Sequence, residues 1–317
     1  MASPITMGMK KLPIPAAYYI KPRGAVKGEI IVNKKITILD GAQGTRLWQL
    51  AAEQGFDREP VWKYNITHPE IVAQVCREYA EAGSEIICAN TFGANRLSVE
   101  KENGFTVPQV VEAAVGIARD ALAGTGVQTA LDIGPLSVLM EPYGDLEEDE
   151  AEEIFAEMLA AGASAGAELI FFETFLDMEM MRVGVQAAQT LPRAIPVVCS
   201  MSFEKSGRTM MGNSVEDVAE LLAPMGVAGL GMNCSLGPDL SLPMIRRFAD
   251  CTDLPLFFKP NAGMPSTAPD GTTVYDLGAE QFAAEVAPVL EIPNLRWLGG
   301  CCGTDAAYIR QLKAMVR

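Results

Sequence analysis

The sequence predicts an α/β fold, a TIM-type (β/α)8 barrel that forms one domain behind a short N-terminal extension. Two observations carry this. Eight short apolar runs, at residues 36–39, 85–89, 128–133, 168–172, 196–201, 229–232, 254–258 and 295–298, alternate with helix-length amphipathic stretches. That is the rhythm of repeated βα units around a parallel sheet. Several runs are apolar throughout, as in Leu169-Ile170-Phe171-Phe172, which suits strands covered on both faces. Eight such units within 317 residues favour a closed barrel over an open sheet.

Residues 1–35 are rich in proline, glycine and lysine and show no period, so they read as an extension to a barrel over 36–317. No further boundary, repeat or low-complexity segment is evident. Ahead of the second strand, Thr67 is placed to cap a helix with Glu70 three residues on. An apolar period then runs to Tyr79, and Gly83 is the stop. Residues 145–153 hold seven acids. They read as a solvated helix start, where negative charge suits the helix dipole.

The bulk composition excludes several classes. Hydrophobic residues make up 49% of the chain and charged ones 21%, enough for a sizeable core. The formal net charge of −15 repels nucleic acid and anionic lipid. No apolar run approaches the roughly 20 residues of a membrane span. Pro13 and Pro15 interrupt the apolar stretch near the N-terminus, so no signal peptide is expected. Seven cysteines, an odd number and mostly scattered, fit cytoplasmic thiols and metal ligands better than a disulfide framework.

The chemistry lies at the C-terminal ends of the strands. Strand one runs into Asp40-Gly41-Ala42-Gln43-Gly44-Thr45, strand two into Asn90-Thr91-Phe92-Gly93, and strand four into Glu173-Thr174. Strand six runs into Asn233-Cys234, strand seven into Lys259-Pro260-Asn261-Ala262-Gly263, and strand eight into Gly299-Gly300-Cys301-Cys302-Gly303. In a barrel these ends share one face, the face that carries active sites. A disulfide between neighbours closes a strained ring, so Cys301 and Cys302 point first to a shared soft metal. If that metal is Zn²⁺, Cys234 is the best third ligand. Three thiolates and one open position make the pattern of a catalytic zinc, and direct attention to chemistry on a sulfur.

Asp40 and Glu173 close strands on the same face. Two carboxylates suit a glycosidase, but a glycosidase has no use for the cysteine pair. The same acids suit the α-ammonium of an amino acid, with backbone N–H groups of 41–45 for its carboxylate. Cys76, Cys88, Cys199 and Cys251 read as small buried hydrophobes away from the strand mouths. The only histidine, His68, reads as structural, which disfavours a Ser-His or Cys-His nucleophile.

Taken together, these segments resemble the zinc-dependent homocysteine S-methyltransferases, and within them the homocysteine-binding barrel of cobalamin-dependent methionine synthase. The match runs over 36–317. It is carried by residues 39–45, Glu78-Tyr79 with Ala82-Gly83, Asn90 to Arg96, Gly134-Pro135-Leu136, Glu173-Thr174, Gly207-Arg208-Thr209, Asn233 to Pro238, Pro260 to Gly263 and Gly299 to Thr304. The resemblance implies Zn²⁺ on Cys234, Cys301 and Cys302. It implies homocysteine contacts at Asp40 and Glu173, with the backbone of Gly41, and places Asn90, Thr91, Asn233 and Asn261 in site motifs. It also implies methyl transfer to homocysteine to give methionine. The chain ends at Arg317, where methionine synthase continues into folate and cobalamin modules. The corrinoid is therefore expected on a separate partner protein, a split methionine synthase. Alternatives are an S-methylmethionine-dependent enzyme, a corrinoid-linked methyltransferase or demethylase for another substrate, and a non-catalytic zinc adaptor.

Overall fold

The computed structural model describes residues 35–316, apart from 103 and 269–272. Apart from Lys35, the proposed extension lies outside the described residues. Among the described residues, eight strands form the main sheet: β1 (Thr37–Ile38), β2 (Ile86–Cys88), β3 (Gln128–Ile133), β4 (Leu169–Phe175), β5 (Val197–Met201), β6 (Gly229–Asn233), β7 (Leu256–Lys259) and β8 (Leu295–Leu298). They lie parallel in the order β1-β8-β7-β6-β5-β4-β3-β2. The Glu85 N–H donates to the Ile38 carbonyl at 2.7 Å across the β1–β2 seam and completes the ring. The TIM-type (β/α)8 fold is as expected.

Nine helices of eight residues or more are present among the described residues. They are α1 (Gln43–Gln54), α2 (Pro69–Ala82), α3 (Val107–Ala121), α4 (Glu148–Ala165), α5 (Met178–Gln189), α6 (Val215–Leu222), α7 (Pro238–Cys251), α8 (Ala279–Val286) and α9 (Ala306–Met315). Their starts follow from local chemistry. Thr106, Asp177, Ser214 and Asp305 each accept a backbone N–H from the first turn, and Ser214 and Asp217 form a full capping box. The acidic run opens α4, with Glu148, Asp149 and Glu150 in its first turn.

One boundary differs from expectation. Thr67 does not cap α2; its hydroxyl donates to Glu59 at 2.6 Å and to the Lys63 carbonyl at 3.2 Å. Pro69 occupies the first helical turn and His68 the cap position. Proline suits that turn and keeps the preceding residue out of helical geometry, which moves the start one residue on. Gly83 ends the helix in a left-handed conformation, as expected.

Two apolar layers form the core. One lies between the sheet and the helices. The other fills the barrel with Leu39, Ile86, Cys88, Ala130, Leu169, Phe171, Val198, Ala228, Phe257 and Trp297. Phe171 and Phe257 meet edge to face, with centroids 5.2 Å apart. Strand side chains alternate in direction. Asp132, Glu173 and Lys259, each two residues beyond Ala130, Phe171 and Phe257, therefore form the next inward layer at the mouth. Gly231 leaves room for this packing, since a Cβ there would lie 1.8 Å from the Phe257 carbonyl oxygen.

Two features of the mouth were not expected from the sequence. The loop after β7 folds into an antiparallel hairpin, Pro265–Thr267 with Thr273–Tyr275. Large apolar side chains stand exposed at Val138, Leu139, Tyr143, Met210 and Val274, all in segments that follow β3, β5 and β7. No helix among the described residues is long and apolar enough to cross a membrane.

Candidate metal centre

The three cysteines expected to act together do meet. Their sulfur atoms lie within 4.8 Å of one another, and they form the one such cluster found among the described residues. Cys234 Sγ and Cys302 Sγ are 3.8 Å apart. Two sulfurs on a tetrahedral zinc, each about 2.3 Å from the ion, are separated by about 3.8 Å. The donor set and its spacing therefore fit Zn²⁺. None of the three is in a disulfide.

The end of β7 positions all three. The Cys234 N–H donates to the Lys259 carbonyl at 3.1 Å and the Cys301 N–H to the Pro260 carbonyl at 2.8 Å. The Ala262 N–H donates to the Cys302 carbonyl at 3.0 Å. Cys234 and Ser235 both have left-handed backbone, with φ of 62° and 61°, as does Thr174 with φ of 66°. Such values are uncommon outside glycine and concentrate at functional sites. Here they turn the chain sharply at the ends of β4 and β6. Hydrogen bonds from Cys234 and Cys301 pull the Cys302 thiol down to about 3, and the Tyr275 hydroxyl adds to the effect.

Beside the thiols lies a buried ionic cluster. Lys259 Nζ donates to Asp40 Oδ1 and to Glu173 Oε1, each at 2.9 Å. Burial opposes the charge on Lys259, but Asp40 and then Glu173 outweigh it and hold the ammonium well above its usual range. Asp40 Oδ2 accepts from the Cys88 N–H at 2.9 Å and from Gln43 Nε2 at 3.3 Å. Asn233 links the two halves of the site. Its Nδ2 donates to Glu173 Oε2 at 3.1 Å and lies 3.8 Å from Cys301 Sγ, while its Oδ1 accepts from Ser200 at 2.7 Å. Burial, reinforced by Glu173, pushes the Asp132 carboxyl well up; Glu173 is raised by burial, against the pull of Lys259.

The other expected residues all lie at the mouth, with differing work. Asn90 donates to the Val61 carbonyl at 2.6 Å and to Asn65 Oδ1 at 2.9 Å, which holds the 61–65 segment. Thr91 donates to the Asp132 carbonyl at 2.6 Å and clamps the end of β2 to β3. Asn261 is buried, and its Oδ1 has no partner among the described residues. A Cβ on Gly41 would come within 2.8 Å of the Tyr79 ring and 3.0 Å of Thr304 Oγ1, so glycine permits that close approach.

Cys88 is buried in the barrel core as expected, and it lies 3.7 Å from Glu173 Oε1. One cysteine reading is corrected. Cys251 is exposed, because it is the last residue of α7, one turn beyond Phe248, the last buried position of that helix. His68 stacks on Phe56 with centroids 3.7 Å apart, in keeping with a structural role. Sequence reasoning missed Lys259, Asp132, Gln43 and Tyr275 as site residues. For Lys259 and Asp132 a signal existed: each continues the inward alternation of its strand. Tyr275 is brought in by the hairpin, which left no such signal.

Fold and site define a class: a barrel whose mouth sets three thiols able to hold a metal against a buried carboxylate–ammonium cluster. Residues 37–316 match the family model described as homocysteine S-methyltransferase, and the chain belongs to that family of methyltransferases. It is 26% identical over 301 residues to methionine synthase of Mycobacterium tuberculosis, covering 90% of this chain and 25% of that one. Methionine synthase of Mycobacterium leprae gives 26% over 296 residues. The chain thus spans about a quarter of the length of these curated relatives. Among solved structures, the metallated form of the homocysteine methyltransferase MmuM from Escherichia coli shares the fold. Its TM-score is 0.74 at 24% identity, over 89% of this chain and 96% of that one.

Proposed function

We propose that residues 36–317 form a domain that transfers a methyl group to the thiol of homocysteine, giving methionine, at a zinc held by Cys234, Cys301 and Cys302. The observation that carries this is the meeting of the three sulfurs in one barrel mouth beside the Asp40–Lys259–Glu173 cluster. A bound Zn²⁺ would supply Lewis acidity that keeps an incoming thiol, ordinarily of pKa about 8.5, deprotonated at neutral pH. The protein's own groups do the rest. Asn233 and Tyr275 hold Cys301 and Cys302 in place from outside the ligand set. Asp40, Glu173 and the backbone of Gly41 border the amino-acid end and orient it, the proximity contribution. Asn90 and Thr91 brace the loops around it, and Asn261 offers a free acceptor. The single histidine stacks on Phe56 and is given no acid or base role, which suits a methyl donor that leaves as a stable species without protonation.

As donor we favour a methyl-corrinoid protein supplied in trans. The sequence resemblance to the cobalamin-dependent branch supports this, and the methionine synthase relatives agree with it. So do the apolar side chains on the rim, which suit a macromolecular donor better than a small one. The free thiols fit a cytoplasmic setting. A small sulfonium donor such as S-methylmethionine is the second reading. It is favoured by the match to a homocysteine methyltransferase over 96% of that chain.

The test is direct. Cys301→Ser and Cys302→Ser should each lose bound zinc and methyl transfer together; full activity in metal-free protein would sink the scheme. Homocysteine supplied in turn with a methylated corrinoid protein and with S-methylmethionine decides the donor by methionine formed.

A further inference from the structure

The two acids expected to receive a substrate ammonium already hold one. All four oxygens of Asp40 and Glu173 have donors. Lys259 serves Asp40 Oδ1 and Glu173 Oε1, Cys88 N and Gln43 Nε2 serve Asp40 Oδ2, and Asn233 Nδ2 serves Glu173 Oε2. A second ammonium entering this pair would have to share oxygens that already accept bonds.

Two neighbouring acceptors are different. Asp132 is 7% exposed, and its Oδ1 has no partner among the described residues. It lies on the inward layer, on the strand next to that of Glu173, and close enough to Glu173 and Lys259 for their charges to interact. Gln43 is the second. Its Nε2 faces two acceptors, Asp40 Oδ2 at 3.3 Å and the Cys88 carbonyl at 3.0 Å, which fixes the amide orientation. Its Oε1 is buried and also has no partner among the described residues. Buried acceptors are normally met by donors, and each exception asks for a reason.

We propose that Asp132, assisted by Gln43 Oε1, receives the α-ammonium of the thiol substrate, while Lys259 stays as the fixed partner of Asp40 and Glu173. This rests on the homocysteine reading and makes Asp132 its specificity-determining residue. An amino thiol satisfies Asp132; a thiol acid lacking the ammonium leaves its Oδ1 without a partner.

The experiment compares binding of homocysteine and of 4-mercaptobutyrate, the same skeleton without the ammonium, to the zinc-loaded full chain by calorimetry. Wild-type protein should bind homocysteine at least about tenfold more tightly. Asp132→Asn should weaken homocysteine by about 10- to 100-fold, the usual loss of a charge-assisted bond, and leave 4-mercaptobutyrate unchanged. Asp132→Glu should restore much of the preference. An unchanged preference in Asp132→Asn overturns the proposal, as does equal weakening of both ligands, which would mark a structural role. Wild-type protein that binds both thiols equally removes the seat but leaves thiol methylation standing. Wild-type protein that binds neither removes the homocysteine reading and the proposal with it.

Discussion

Lys259 shows best what a single side chain decides in this molecule. The residue is 3% exposed, and its ammonium is held between two carboxylates. Lys259→Met should cost about 3–5 kcal/mol, the penalty for leaving buried charges uncompensated, read as a lower urea midpoint. Asp132 works in the opposite sense. Its folded-state pKa is raised by burial, so above the unfolded pKa the native state keeps a proton that the unfolded chain has released. Stability then falls as pH rises through that window, up to the folded pKa. Asp132→Asn removes the fall, and the variant should be more stable than wild type at and above neutral pH, seen in urea midpoints measured against pH. A group that lowers stability where it sits is what a binding role demands. Neither residue was singled out from the sequence, although each continues the inward alternation of its strand. A lysine or aspartate at a strand end has a type but no visible partner, and its partners here lie on strands far away in the chain. The cysteines were legible because Cys301 and Cys302 needed a common explanation that a lone residue does not.

At the level of elements, strand β6 carries the tightest constraint. Alanine at Gly231 would force its Cβ to 1.8 Å from the Phe257 carbonyl oxygen, so β6 and β7 would have to separate. Gly231→Ala should cost about 1–3 kcal/mol and also lower the zinc content, since Cys234 follows this strand and bonds to β7. Melting temperature and metal analysis of the same sample check both. The apolar loop residues make a second prediction. Tyr143→Glu with Met210→Glu should weaken use of a methylated corrinoid protein severalfold and leave transfer from a small methyl donor unchanged, measured as KM for each. Strand positions were legible to within a few residues because continuous apolar runs mark strands buried on both sides. The start of α2 was misplaced because Pro69 decides it by backbone geometry, whereas capping residues advertise themselves by type. The hairpin after β7 was missed because its strands are mostly exposed and lack an apolar run.

For the whole molecule, the barrel core and the metal centre are separable. The two apolar layers do not pass through the thiols, so chelation should leave the chain folded and lower its melting temperature by about 5 °C when metal had been at a hundredfold excess over its Kd. Calorimetry with and without chelator measures this. A net charge of −15 adds self-repulsion that salt screens, and the melting point should rise between 10 and 150 mM salt. The barrel fold follows from eight βα units, and its mouth follows from the fold. One practical use comes from the buried lysine. Amine-acylating reagents should mark the exposed lysines first and spare Lys259. Its slow acylation, followed by peptide mass spectrometry, would time how often the barrel mouth comes apart.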